Sequence, residues 1–231
     1  ILIETGIGAF FPPELKQRYG VTPEHHVLLD SLQKIGLAHT DIDIIILSHL
    51  HFDHAGGLLT AYQDHTKNTL LFPNARYLVS QEGFIRAKAP HSRDKASFIP
   101  QLTALLEASD RLELILGDHS PILGKNYRFH FSHGHTPGLM LTEVSTAEGP
   151  LIFATDLIPG IAWLHTPITM GYDRFPEKVV EEKEALLDYL VAQQGRLFYT
   201  HDPQIALSRV VRDDKGRFVA GETWNEVTRI E

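Results

Sequence analysis

The densest cluster of chemically capable side chains lies in residues 48–54. The segment reads Ser-His-Leu-His-Phe-Asp-His and carries three imidazoles and one carboxylate. Imidazole nitrogen and carboxylate oxygen are good ligands for Zn²⁺, Mn²⁺, Fe²⁺ and Co²⁺. A solvated polar loop is the alternative interpretation, but four ligand-type side chains seldom occur this close together by chance. The segment therefore predicts a metal site that includes His49, His51, Asp53 and His54.

Three further ligand-type residues each follow a predicted strand. His135 comes shortly after residues 127–132, Asp156 after residues 151–154, and His201 after residues 197–200. Taken singly, each is more often a structural residue. Active sites in α/β proteins gather at strand ends, because the sheet fixes their position while the loops vary. We therefore expect all three to converge at one edge of a sheet.

Cysteine is absent from the sequence, which restricts the kind of metal site that can form. Neither a disulfide framework nor a thiolate site can be built, so any metal must be bound by nitrogen and oxygen. Sulfur ligands are the usual sign of a purely structural zinc site. Their absence favours a catalytic metal.

Length and composition favour one globular domain over residues 1–231. The chain is 43% apolar, which is enough for one continuous core. Its formal net charge of −8 disfavours nucleic acid as a partner. No apolar run approaches the roughly 20 residues of a membrane span. We expect a cytoplasmic protein, although the chain opens in a strand without an initiator Met, so a cleaved signal peptide stays open.

Strands and helices alternate along the chain, which predicts the α/β class. A short apolar strand at residues 42–47 ends directly before the His cluster. Helices are predicted from the Thr22-Pro23-Glu24 start to Gly36, with Val27, Leu28, Leu32 and Ile35 buried, and over residues 97–108 and 177–193. In the last helix residues 181–184 are expected to face solvent. The remaining predicted strands are 76–80, 112–116, 127–132, 139–144, 151–154 and 197–200.

The ligand-type residues together resemble the ligand set of metallo-β-lactamase-fold hydrolases. The resemblance rests on the run from His49 to His54, on Gly134-His135-Thr136-Pro137-Gly138, on Thr155-Asp156 and on His201. It implies a four-layer αββα sandwich. It also implies that one metal ion is held by His49, His51 and His135, a second by Asp53, His54 and His201, and both by a bridging Asp156.

The start of the chain resembles part of the same family pattern. Glu4-Thr5-Gly6 stands where the family carries an Asp-Thr-Gly turn or a similar one. In most relatives a hairpin precedes this turn, and the sequence does not contain one. The first sheet is therefore expected to have an incomplete N-terminal edge.

The resemblance implies a dinuclear hydrolase that acts on a small molecule. A hydroxide bridging two divalent ions, zinc first and Mn, Fe or Co as alternatives, would attack an ester or lactone. Asp53 is the candidate catalytic residue, which would hold the nucleophile and pass a proton to the leaving group. Acyl-homoserine lactonases and organophosphate hydrolases share this ligand set, so a phosphoester or phosphotriester hydrolase is the alternative. The tyrosine that lactonases carry shortly after the bridging Asp is missing, since residues 157–160 are Leu-Ile-Pro-Gly.

Two other functions on the same fold are weaker alternatives. An iron-dependent oxygenase uses a single iron. Seven retained ligands suit two ions, so they disfavour this function. A nuclease is disfavoured by the net charge of −8 and the lack of a basic arm. A homodimer is compatible with the sequence but nothing in it selects one.

Candidate substrate contacts come from two places. The irregular stretch 163–173 is rich in aromatic and apolar residues, and its His165 and Tyr172 are candidate polar contacts. The alternative is a satisfied loop histidine and a packing tyrosine. Phe52, among the ligands, is either a pocket wall or an anchor for its loop. His133 lies two residues before His135 and is not expected to bind metal, because the Gly-His-Thr-Pro-Gly run already assigns His135. A supporting role for His133 stays open.

Overall fold

The structure, a computed structural model, describes residues 1–228. It divides into two compact units, unit 1 over Ile1–Leu114 and unit 2 over Ile115–Glu231. Each unit has one β-sheet and its own apolar core. The predicted α/β class is confirmed by these sheets and their helices, whereas the single domain over residues 1–231 stays a prediction.

Unit 1 is built around a four-stranded sheet of order β1-β2-β3-β4. Strands β1 and β2 pair in parallel, as do β2 and β3, so that Ile46 lies between Ile3 and Leu78. The elements in chain order are β1 (Leu2–Ile3), α1 (Pro13–Tyr19), α2 (Val27–Lys34), β2 (Ile44–Ile46), α3 (Phe52–Ala55), β3 (Arg76–Ser80), α4 (Gln81–Lys88), α5 (Leu102–Ala108) and β4 (Leu112–Ile115).

Unit 2 is built around a six-stranded sheet of order β10-β9-β8-β7-β6-β5. Its pairs are antiparallel except β7 with β8, which are parallel and are connected through the long helix α6. The elements are β5 (Tyr127–Ser132), β6 (Leu139–Thr146), β7 (Gly149–Phe153), α6 (Pro176–Ala192), β8 (Arg196–Phe198), β9 (Leu207–Arg212) and β10 (Phe218–Trp224).

Strand β2 and helix α6 show how sequence produces the two elements that position the site. β2 consists of three isoleucines, two of them fully buried, as expected for a parallel strand covered on both faces. α6 begins at Pro176, whose ring fits the first helical position. Within residues 1–228 no helix combines the length and apolar character needed to cross a bilayer.

Three sequence predictions about helices were wrong in detail. The helix predicted from Thr22 begins at Val27, and Val27 and Ile35 are exposed rather than part of a buried stripe. The helix predicted from residue 97 begins at Leu102, because Pro100 disfavours helical backbone in the residue before it. Helices α1 and α4 were missed. The predicted helix over residues 177–193 is confirmed as α6.

Candidate metal centre

The first ligand group consists of His49, His51, Asp53 and His54, at the end of β2 in unit 1. The structure brings the three imidazoles together, with ring centroids 4.4 Å apart for His49 and His51 and 4.3 Å apart for His49 and His54. All three rings are buried, whereas the Asp53 side chain is 35% exposed. The segment is not wholly a loop, because Phe52–Ala55 forms the short helix α3.

Two rings of the first ligand group are oriented by a partner at Nδ1. Ser48 Oγ lies 2.8 Å from His49 Nδ1, and Glu4 Oε2 lies 2.6 Å from His54 Nδ1. A hydrogen bond at one ring nitrogen fixes the tautomer and turns the other nitrogen towards a metal. His49 and His54 are therefore oriented to ligate through Nε2. The ring of His51 packs 4.8 Å from that of Phe98.

The turn Glu4-Thr5-Gly6 holds the first ligand group from the adjacent strand. Glu4 Oε1 accepts a 2.6 Å hydrogen bond from Ser48 N, and Thr5 Oγ1 donates to His54 O at 2.8 Å. A Cβ on Gly57 would lie 2.1 Å from Thr5 O, so only glycine fits at this contact. Glu4 itself has φ of 63°, a conformation that costs energy for a residue other than glycine.

The second ligand group consists of His135, Asp156 and His201, at three strand ends of unit 2. Asp156 Oδ2 lies 3.1 Å from His135 Nε2, and its Oδ1 lies 3.0 Å from His201 Nε2. One buried carboxylate thus faces two imidazoles through its two oxygens, as a bridging ligand must. Thr155 has φ of 44°, so the backbone turns sharply just before Asp156.

Two carboxylates outside the ligand groups fix the loop that carries His135. Asp173 Oδ1 lies 2.9 Å from His135 Nδ1, so Nε2 is the nitrogen that would bind a metal. Glu182, on α6, accepts hydrogen bonds from Ser132 Oγ at 2.6 Å, His133 N at 2.8 Å and Gly134 N at 3.0 Å. Both acidic residues therefore act on the end of β5 and the turn after it.

The charges around His135 favour a cation. Burial lowers the pKa of His135, but the carboxylates of Asp156 and Asp173 outweigh burial and raise this pKa to about 9. Two carboxylates thus compensate one positive charge at a buried position. A divalent ion could take the place of that proton, and the donors are nitrogen and oxygen atoms of the kind that zinc, manganese, iron and cobalt accept.

The predicted substrate contacts lie in both units. Phe52 packs against Phe11 and Tyr19, with ring centroids 5.1 and 4.9 Å apart, and lines an apolar pocket of about 680 Å³ in unit 1. In unit 2 the side chain of Tyr172 is 79% exposed and His165 is also exposed. These placements do not test contact with a substrate, so the three assignments stay predictions.

His133 has a supporting contact of the kind that the sequence suggested. Its backbone N–H donates to Glu182, and its Nδ1 accepts a hydrogen bond from Gly138 N at 3.3 Å. The ring therefore closes the turn that carries His135.

Helix α6 contains the main error of the sequence interpretation. Residues 181–184 were expected to face solvent, but Lys183 has no exposed surface and Glu182 is half-buried. The helical period explains the burial of Lys183, because it lies four residues after Val179 and three before Leu186, within the buried stripe. The supporting residues that sequence reasoning missed are Ser48, Asp173, Glu182 and Lys183, with Glu4 noticed only as part of a turn.

Comparison with known families gives one match over most of the chain. A model described as the metallo-beta-lactamase superfamily matches residues 1–201. These residues include both ligand groups and the turn at residues 4–6.

Curated relatives and solved structures give more distant likenesses. An N-acyl homoserine lactonase from a Bacillus species is 27% identical over 181 residues, which are 78% of this chain and 63% of that protein. An N-acyl homoserine lactonase from Bacillus thuringiensis is 23% identical over 181 residues, again 78% of this chain and 63% of that protein. The chain thus spans about 63% of the length of these curated relatives.

Among solved structures, the dizinc quorum-quenching lactonase AidC, in complex with a product, is 26% identical with a TM-score of 0.74. The match covers 96% of this chain and 76% of that one. A probable metal-dependent hydrolase from Staphylococcus aureus is also 26% identical, with a TM-score of 0.79 and coverage of 96% and 78%. The two sheets and their helices therefore have the predicted fold.

Proposed function

The chain belongs to the metallo-β-lactamase superfamily, and on this premise we propose that it is a dinuclear metal-dependent hydrolase. Zinc is the first choice of metal, with Mn, Fe and Co as alternatives. When bound, such ions supply water activation and polarisation of a substrate oxygen. One ion would be held by His49, His51 and His135, the other by Asp53, His54 and His201, and Asp156 would contact both.

The observation that carries the proposal is the geometry of Asp156. Its two oxygens face two different imidazoles at 3.1 and 3.0 Å, on a carboxylate that is almost fully buried. A buried carboxylate is costly unless it is paired or binds a cation. One oxygen for each of two ions is the use that fits this arrangement and the family.

Asp53 is the group to which we assign proton transfer. Its side chain remains 35% exposed while the three imidazoles of its group are buried. A carboxylate at this position would contact an ion through one oxygen and use the other to take a proton from the attacking water and pass it to the leaving alkoxide. A fully buried carboxylate could not be reached by a substrate, whereas the partly exposed Asp53 can be.

The apolar pocket in unit 1 supports a neutral substrate with an apolar acyl group. Phe10, Phe11, Phe52 and Phe98 line it, and Phe98 also packs on the metal-ligand candidate His51. Its volume of about 680 Å³ is within the range of small-molecule sites. We therefore propose a lactone or ester whose acyl chain occupies this pocket, in line with the relatives described as lactonases.

The test is chelator-sensitive hydrolysis by protein loaded with Zn²⁺ or Mn²⁺. A matched panel would contain acyl lactones of short, medium and long chain, an aryl ester, an aryl phosphotriester and an aryl phosphodiester. Proton release and phenolate release give the initial rates, with chelated protein as the blank. We expect turnover of the lactones and the aryl ester, and none after chelation.

Two other outcomes of the panel would contradict the proposal, the first in its substrate class and the second as a whole. Turnover of the phosphotriester alone would replace the lactone assignment by the phosphotriester alternative. No chelator-sensitive turnover of any compound, in protein that contains two equivalents of metal, would overturn the hydrolase proposal itself.

The pocket makes a separate prediction about chain length. Phe52→Ala removes a half-buried aromatic wall, so KM for the long-chain lactone should rise about tenfold, because the lost apolar contact with the acyl chain corresponds to about 1.4 kcal/mol. KM for the short-chain lactone should change little. Ile85→Ala, at a position 57% exposed in the same unit, is the matched control. Equal effects on both chain lengths would argue that Phe52 only anchors its segment.

A further inference from the structure

Lys183 is a buried ammonium group at the middle of α6. Its side chain has no exposed surface. Nζ donates to three backbone oxygens, those of Ile168 at 2.6 Å, Trp163 at 3.0 Å and His165 at 3.3 Å. A lysine ammonium has three donors, so every one of them is used. Burying such a charge is costly, and three carbonyl acceptors are the compensation that the structure provides.

All three acceptors belong to residues 158–172, which we call the connecting segment. It begins two residues after the ligand Asp156 and ends before Asp173, which contacts the ligand His135. A single 3₁₀ turn, Ile161–Leu164, is its only regular structure in the described chain. A segment with so little regular structure has few backbone hydrogen bonds of its own, so its path depends on outside contacts.

The ends of the connecting segment are held by acidic side chains. Asp202 Oδ2 accepts a 3.0 Å hydrogen bond from Ile161 N, and Asp173 Oδ2 accepts a 2.6 Å hydrogen bond from Met170 N. The middle, from Trp163 to Ile168, is where Lys183 acts. This middle carries His165, and Tyr172 follows near the end, so both predicted substrate contacts depend on the path of the segment.

We propose that Lys183 is a positioning residue that fixes the connecting segment in one path and thereby sets the affinity for substrate. The proposal rests on the proposed hydrolase function, because it assigns the segment to substrate binding. The hydrogen bonds of Lys183 go to the connecting segment rather than to the ligand groups, so we assign Lys183 no part in the chemical step. It should therefore affect KM and leave kcat and metal content largely unchanged.

The ionisation of Lys183 is consistent with this role. Burial lowers the pKa of Lys183 to about 8, and the Asp173 carboxylate opposes the decrease. The side chain is therefore still mainly protonated at pH 7 and can supply all three hydrogen bonds.

Trp163 gives a readout of the segment that needs no substrate. It is half-buried and packs against the core of unit 2, and the sequence has only one other tryptophan, Trp224. In a Trp224→Phe background, emission therefore reports on Trp163 alone. Lys183→Met removes the three donors, and Lys178→Met, at an exposed position on the same helix, is the matched control.

The expected results separate positioning from a general structural role. Lys183→Met should raise KM about tenfold, as the loss of charged hydrogen bonds at one segment would. Its kcat should stay within about threefold and its metal content should equal that of the parent. Emission of Trp163 should shift to longer wavelength and become easier to quench with acrylamide. Lys178→Met should match the parent in all five measurements.

Unchanged KM and quenching in Lys183→Met would overturn the proposal, as would a fall in kcat with KM unaltered. Should the methionine variant not fold, Lys183→Arg keeps the charge but changes the donor geometry. It should show smaller changes of the same kind, and parental values would again overturn the role. If the parent hydrolyses nothing, the proposed function fails, while quenching still tests whether Lys183 holds the segment.

Discussion

The two ligand groups present the same kinds of side chain but are assembled in different ways. The first group takes four ligands from six consecutive residues, and its supporting contacts come from Ser48 and from the turn at residues 4–6. The second group takes three ligands from three strand ends. Its support comes from Asp173, which contacts the ligand candidate His135, and from Glu182 on α6, which binds the turn that carries His135.

The two groups differ in whether local backbone or tertiary contacts determine the positions of the ligands. In the first group the backbone of one segment already limits the positions of the ligands. In the second group tertiary contacts must bring the ligands together, so substitutions far from a ligand should still affect it. Mutations in the two units can test this contrast directly.

Asp156→Asn should have the largest effect, because it removes a carboxylate that faces both His135 and His201. We expect metal content to fall by at least one equivalent, measured by elemental analysis after dialysis. Hydrolytic kcat/KM should fall by more than about 100-fold, which is the largest loss expected when a residue only supports a metal ligand.

The control for this change is Asp188→Asn, the same substitution at an exposed position on α6. Asp188 pairs with Arg212 at the surface, where an ion pair contributes little. Metal content should therefore equal that of the parent. Full metal content in Asp156→Asn would contradict the assignment of this carboxylate as a ligand.

The two supporting carboxylates provide the most direct comparison of the units. Asp173→Asn should weaken metal binding about 10–100-fold, because both of its oxygens are used, one on His135 and one on Met170 N. Glu4→Gln should weaken metal binding about tenfold or less. Glu4 also uses both oxygens, but its side chain is 11% exposed, against 1% for Asp173, so solvent screens the lost charge more. Competition with a chromophoric chelator measures both affinities.

A larger loss in Glu4→Gln than in Asp173→Asn would reverse the comparison. The first group would then depend on its supporting contact more than the second does. Differential scanning calorimetry of the metal-free variants is the control, since a change in metal affinity should not simply follow a change in folding stability.

The smallest expected effect is on stability at alkaline pH. Burial lowers the pKa of Lys183 from the ordinary lysine value of 10.5 to about 8 in the folded protein. Between these values the unfolded chain binds more protons, so the free energy of unfolding should rise with pH through this window. The cost of burying the charge is fully present below pH 8 and disappears towards pH 10.5.

Urea unfolding at pH 7, 8, 9 and 10 measures this contribution as a difference between the parent and Lys183→Met. The parent should gain on the order of 2 kcal/mol relative to the variant over this range. Lys178→Met should follow the parent. A constant difference between parent and Lys183→Met would mean that the pKa of Lys183 is not lowered by folding.

The sequence was most informative where chemistry and local pattern coincide. The run from His49 to His54 predicted its own grouping, and the rings of this run do lie together. The position after strand ends also predicted that His135, Asp156 and His201 lie near one another, and in the structure Asp156 contacts both histidines. The roles of the seven residues as metal ligands remain predictions.

The supporting residues were not predictable in the same way. Asp173 and Glu182 are ordinary acidic residues until the fold brings them to the turn after β5, from 38 and 49 residues away. Lys183 was assigned to solvent because it is charged, although its spacing from Val179 and Leu186 fits the buried stripe. Residue type outweighed periodicity in that interpretation, and periodicity was the better guide.

The contacts of Lys183 have a consequence for how this protein could diversify. All three acceptors are main-chain oxygens, which every amino acid supplies. The lysine therefore constrains the route of residues 163–168 without constraining which side chains they carry. Substitutions at Trp163, His165 or Ile168 could alter selectivity while the anchor stays intact. In protein engineering, the exposed His165 is accordingly a position to randomise.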